Sequence, residues 1–140
     1  MQSKRGNSRS LVWITAMLAI FSFGAALAQE NPLVKGEHVD AQLVPEYLAT
    51  TPGATLWVAL RLNHVEHWHT YWINPGDAGK ATQVEWTLPA GVSAGEIVWP
   101  TPERFDLPAE LVDFGYTGEV FLLVPLTLDD AFSGDTLAVS

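Results

Sequence analysis

Three histidines fall within six residues, His64, His67 and His69 in the run HVEHWH. Imidazole suits copper among other transition metals. On an extended strand His67 and His69 would project to one side with α-carbons roughly 6.5 to 7 Å apart, a spacing compatible with two ligands on one ion. A solvated strand face explains them more simply, because the chain has no cysteine and only two methionines to complete a ligand set. Glu85, Glu96, Glu103 and Asp106 offer carboxylates for a glycosidase pair, but that chemistry depends on a separation the sequence does not fix. Tryptophans beside acidic residues suggest a sugar platform, although in a β-rich chain they more often fill a core. No nucleophile elbow, phosphate loop or cysteine-based zinc motif is present. The residues therefore assign no catalytic group, no cofactor-binding residue and no metal ligand.

The turn Asn74-Pro75-Gly76-Asp77 reads as structural rather than ligand-binding. Proline fixes φ, glycine supplies a positive φ, and Asn and Asp side chains cap nearby amides.

The elements that must position these residues begin after residue 28. Lys4, Arg5 and Arg9 precede an apolar run from Leu11 to Leu27, followed by Ala26-Leu27-Ala28 and the polar pair Gln29-Glu30. This is the layout of a secretory signal peptide, with cleavage expected after Ala28. All sixteen acidic residues and four of the seven basic ones lie beyond that point. Such an acidic surface repels phosphate backbones and anionic lipid, which argues against nucleic-acid partners. Residues 29–140 suffice for one domain. Without disulfides, its stability rests on packing, and Trp57, Trp68, Trp72, Trp86 and Trp99 with Phe121 are the expected core anchors. Each buried tryptophan removes about 150 to 250 Å² from water.

Period two dominates this region, bounded by Gly and Pro, with no 3.6-residue stretch. The fold class is all-β. Thr55 to Leu62 presents Leu56, Val58, Leu60 and Leu62 on one face; Glu119 to Leu128 presents Val120, Leu122, Val124, Leu126 and Leu128. Both strands are expected at the sheet centre, with an edge or bulge at Pro125, which lacks a donor. Further strands are expected over 38–44, 67–73, 83–88, 95–99 and 135–140, separated by turns at 52–53, 74–77, 89–91 and 133–135. Pro100 to Asp113 reads as a long loop between sheets. Seven short strands favour an immunoglobulin-like β-sandwich. Thr136 to Ser140 reads as the opening of a strand that stops, so the C-terminal strand is expected to be truncated and the chain a fragment.

Blocks along the chain resemble the periplasmic N-terminal domain of the DsbD family of thiol:disulfide interchange proteins, most closely its ScsB, or suppressor of copper sensitivity, branch. They are HVDAQLV (38–44), PGATLWVALRL (52–62), WHTYWINPGDAG (68–79), VEWTLPAG (84–91), IVWPTPERF (97–105) and FGYTGEVFLLVPLT (114–127). The resemblance implies an immunoglobulin-like domain in a membrane-anchored reductase that passes electrons to oxidised periplasmic thiol proteins. Its other expected partners are the parent's own thioredoxin-like and transmembrane domains. Each relay step needs two cysteines, and the resemblance places such a pair shortly after the strand beginning near Thr136. This chain, having none, is expected to supply scaffold and docking surface and to be inactive alone. A redox-silent periplasmic module binding copper or carbohydrate is the alternative. His67 stands where the family usually has Gly, and Ala78 and Lys80 replace small, polar residues.

Overall fold

The computed structural model describes residues 31–130 and 132. The expected signal peptide (1–28), the turn at 133–135 and the strand over 135–140 lie outside the described residues. In chain order the strands are β1 (Val39–Pro45), β2 (Thr55–His64), β3 (Thr70–Gly76), β4 (Val92–Ala94), β5 (Glu103–Asp106), β6 (Val112–Tyr116) and β7 (Glu119–Leu128). They form a four-stranded sheet, β1-β2-β7-β4, and a three-stranded sheet, β3-β6-β5. Every pairing is antiparallel. Among the described residues there is no α-helix, only a 3-10 turn at Pro108–Glu110. This is the all-β, immunoglobulin-like sandwich expected from the period-two pattern.

The centre is the β2–β7 pair, running from Thr55 opposite Thr127 to Asn63 opposite Glu119. Alternation aims Val120, Leu122, Val124, Leu126 and Leu128 inward, all at most 8% exposed. Leu56, Val58 and Leu62 of β2 are buried beside them. Each such side chain contributes roughly 1.5 to 3 kcal/mol of burial. The β3 and β6 side chains Trp72 and Tyr116 belong to the cluster around Leu62, Val120 and Leu122. The cluster around Leu56, Val124, Leu126 and Leu128 is closed instead by side chains from connecting segments, among them Trp86, Leu88, Ile97 and Phe132.

Several expectations are corrected. Of the expected tryptophan anchors, Trp57 and Trp68 are 37% and 46% exposed and stand outside the core, whereas Trp72, Trp86 and Trp99 are partly buried and pack against it. Trp57 and Phe121 occupy the outward parity of β2 and β7, and Trp68 lies in a turn. The 83–88 segment forms no strand; it inserts Trp86 and Leu88 into the core as irregular chain. The 95–99 strand reduces to one bridge between Val98 and Leu123. The stretch from Pro100 to Asp113 contains β5, the 3-10 turn and the start of β6.

Pro125 explains the broken ladder. β7 is central rather than an edge, but the irregularity expected at Pro125 is present on its β4 side. There β4 ends at Ala94, Gly95 donates to the Pro125 carbonyl at 2.8 Å, and pairing resumes only where Val98 donates to Leu123. A residue without an amide proton cannot return the bond.

Tyr116 is 4% exposed, and its hydroxyl donates to the Pro100 carbonyl at 2.8 Å. Burial raises its pKa above the ordinary 10.0. The folded chain thus keeps a proton that the unfolded chain releases, so stability held below the ordinary phenol range is lost as pH rises through it. In urea melts from about pH 9 to 11, Tyr116→Phe should flatten this alkaline loss while costing about 1 kcal/mol at neutral pH for the missing hydrogen bond. An unchanged alkaline slope would assign the loss to another group.

Candidate functional site

The motif from Trp68 to Gly79 spans the approach to β3, the strand itself and the turn after it. His64, at the end of β2, is 8% exposed. Its Nδ1 lies 2.7 Å from the Gly118 carbonyl, and its Nε2 lies 3.0 Å from Thr70 Oγ1. The carbonyl can only accept, so Nδ1 carries a hydrogen and donates to it, while Nε2 pairs with the threonine hydroxyl. Both ring nitrogens are thereby used in joining the end of β2 to the starts of β3 and β7.

The three histidines do not converge. His67 sits in the turn closed by Trp68 N donating to Val65 O at 3.0 Å, and its side chain is 88% exposed. Since β3 begins at Thr70, His67 and His69 do not form the strand face that the copper reading required. Among the described residues no group of three or more His, Cys, Asp or Glu side chains is gathered for a metal ion.

His69 instead packs against Tyr71, ring centroids 4.9 Å apart and edge-on, and against Phe105 at 4.7 Å. Parity places Tyr71, Gly115 and Phe105 on the outer face of the three-stranded sheet, because Thr70 pairs with the inward Tyr116. Gly79 lies directly on the Tyr71 ring, where a Cβ would overlap it. One end of the motif is held by His38, whose ring stacks on Trp68 at 3.4 Å and 5°. The His38 carbonyl accepts from Val65 N at 2.9 Å.

Asn74, Pro75 and Gly76, expected in a turn over 74–77, instead end strand β3, and the bend that follows at Asp77 and Ala78 is a clamp. Asp77 Oδ2 accepts from Val112 N at 2.8 Å, and Asp77 N donates to Val112 O at 3.0 Å. Asp113, 1% exposed, accepts from Ala78 N at 2.9 Å. Asp113 escaped the sequence reading. Its signal was a single acid inside the apolar run LVDFGY, where a buried carboxylate needs a donor.

The four candidate carboxylates are not assembled into a pair by any shared element. Glu103 and Asp106 lie three residues apart on β5, hence on opposite faces. Glu103 accepts from Thr117 Oγ1 at 2.8 Å, and Asp106 pairs with Arg104 at 2.7 Å. Glu85 lies between β3 and β4, and Glu96 just after β4.

His67 has φ 72°, the left-handed region in which glycine alone is free of steric penalty. The position that the resemblance associates with glycine is thus one where the backbone favours it. His67→Gly should raise stability by about 1 kcal/mol, measured by chemical denaturation. A destabilised variant would show that the imidazole earns its place through contacts.

With this geometry established, comparison with known proteins supplies the class. The chain belongs to the family described as thiol:disulfide interchange protein DsbD, N-terminal, matched over residues 40–140. Among solved structures it is similar to the N-terminal periplasmic domain of ScsB from Proteus mirabilis, at 26% sequence identity and a TM-score of 0.51. That likeness covers 75% of this chain and 41% of the ScsB chain, so the sequence spans less than half of that structure. No curated protein matches.

Proposed function

We propose that this chain is the scaffold and docking part of a periplasmic protein-disulfide reductase that passes electrons to oxidised thiol proteins. The observation that supports it is the family match across residues 40–140. In this reading residues 1–28 direct export, residues 29–140 form the N-terminal immunoglobulin-like domain, and the parent is anchored in the inner membrane. The chain contains no cysteine, so the reacting dithiol comes from elsewhere in the parent polypeptide. There a thiolate attacks the partner's disulfide, one sulfur leaves as a thiolate, and a mixed disulfide forms. The second cysteine then attacks that bond, releasing the reduced partner and leaving the parent oxidised. The parent's thioredoxin-like and transmembrane domains restore the dithiol.

The test is made on the parent protein. Replacing the second cysteine of its periplasmic pair by alanine should trap a mixed disulfide with an oxidised thioredoxin-fold substrate, visible as a reducible band on non-reducing gels. A parent that lacks a periplasmic cysteine pair, or one whose variant traps nothing, overturns the assignment.

A further inference from the structure

The outward face of the four-stranded sheet can be followed row by row from the strand register. Val44 lies opposite Ala59, Ala59 opposite Leu123, and Leu123 bridges to Val98. In the next row Glu46 N donates to Trp57 O, Trp57 lies opposite Pro125, and the Pro125 carbonyl accepts from Gly95. Polar rows border this belt. Asn63 faces Glu119 at one end, beyond Arg61 and Phe121, and Thr55 faces Thr127 at the other. Trp57, Val98, Phe121 and Leu123 are each 37 to 51% exposed. The small side chain of Ala59 leaves a depression between Trp57 and Leu123, the floor of an open groove of about 470 Å³. An apolar belt framed by polar rows is the anatomy of a protein-docking surface.

Charge selects the occupant. Glu46 lines the groove at its β1 end and has no ion-pair partner among the described residues. Arg61, the basic residue of this face, is already bound by Glu119, with its Nε 2.8 Å from Oε1. A second copy of a chain of net charge −9 would bring carboxylates against carboxylates. The almost wholly apolar lining offers few partners to sugar hydroxyls. The row from Val44 to Val98 crosses three inter-strand gaps, about 14 Å, which matches three alternate side chains of an extended segment at about 6.8 Å spacing.

We propose that this belt docks an extended, basic segment of a partner protein, with alternate aliphatic side chains along the Val44–Val98 row and a Lys or Arg over Glu46. The inference does not rest on the disulfide-exchange reading.

The test uses two synthetic peptides, Lys-Val-Ser-Leu-Ser-Val and its Glu-first counterpart, titrated into the purified chain. Binding is followed by amide chemical shifts at Val44, Ala59 and Leu123. The lysine peptide should bind, and the glutamate peptide more weakly. Glu46→Lys should reverse that preference by about fivefold. Ala59→Leu, which fills the depression, should weaken binding at least about tenfold; Leu123→Lys does the same from a position where the native backbone is undisturbed. Equal binding of the two peptides, or none, overturns the proposal. So does a dimer in sedimentation that Ala59→Leu disperses, or a Trp57 fluorescence shielded from acrylamide in the free chain.

Discussion

Leu126→Ala should lower stability by about 3 kcal/mol, within the range of roughly 2 to 5 for a fully buried leucine. Leu126 is 0% exposed, lies opposite Leu56 in the central pair, and belongs to the cluster closed by irregular segments rather than by the second sheet. Loss of its side chain removes the transfer energy of three carbons and leaves a void. The ladder on both sides limits how far the backbone can collapse into it. For a domain of this size the change corresponds to a drop in melting temperature of roughly 10 to 20 °C. Phe121→Ala, five residues away on β7, on the outward face and 42% exposed, should cost under about 1 kcal/mol. Equal losses for the two variants would contradict the assignment of inward and outward parity.

Gly76→Ala should be comparably damaging for a different reason. Gly76 has φ 101°, and an added Cβ would strike the Val112 carbonyl and the Asp113 Cα, both backbone atoms of the neighbouring strand. The conformation alone costs an L-residue about 1 to 3 kcal/mol. Relief of the overlap pushes β3 from β6 at the point where Asp77 and Asp113 hold the turn. The variant should lose amide-exchange protection at Val112 and Ala78 before the β2–β7 core unfolds. Retained protection at those two amides would show that the clamp tolerates the shift.

The parts legible from sequence were those governed by local alternation. The β7 boundaries follow directly from its period-two run, and β1 and β2 are displaced or extended by only one or two residues, because long half-buried strands impose that pattern. The positive φ of Gly76 and the amide-binding carboxylate of Asp77 were legible because that chemistry is intrinsic to the residues, but the turn expected at 74–77 is mostly strand, with Asn74, Pro75 and Gly76 in β3. Three strands were hidden, the first being the three-residue β4, which falls between the turn expected at 89–91 and the strand expected over 95–99. β5 is four residues long, carries Glu103, Arg104 and Asp106, and lies among Pro100, Pro102 and Pro108. β6 carries Asp113 and Gly115, which look like loop residues until a carboxylate partner and a close neighbouring strand are known. The opposite error at 83–88 arose because alternating Val84, Trp86 and Leu88 meet the demand for burial without pairing. The histidine expectation failed on a boundary: with β3 beginning at Thr70 rather than His67, a shared face became a turn. The outward belt could not be read at all, since Val44, Ala59, Leu123 and Val98 meet only through register between distant segments.

The register between β2 and β7 also sets an order of events. Asn63 must wait for Glu119, and Thr55 for Thr127; closing such long loops precedes any reward from the core they complete. A polypeptide emerging N-terminus first therefore holds β2 without its principal neighbour until almost the whole described sequence has appeared. That delay keeps the central sheet open, because the β2–β7 ladder cannot close before β7 has emerged.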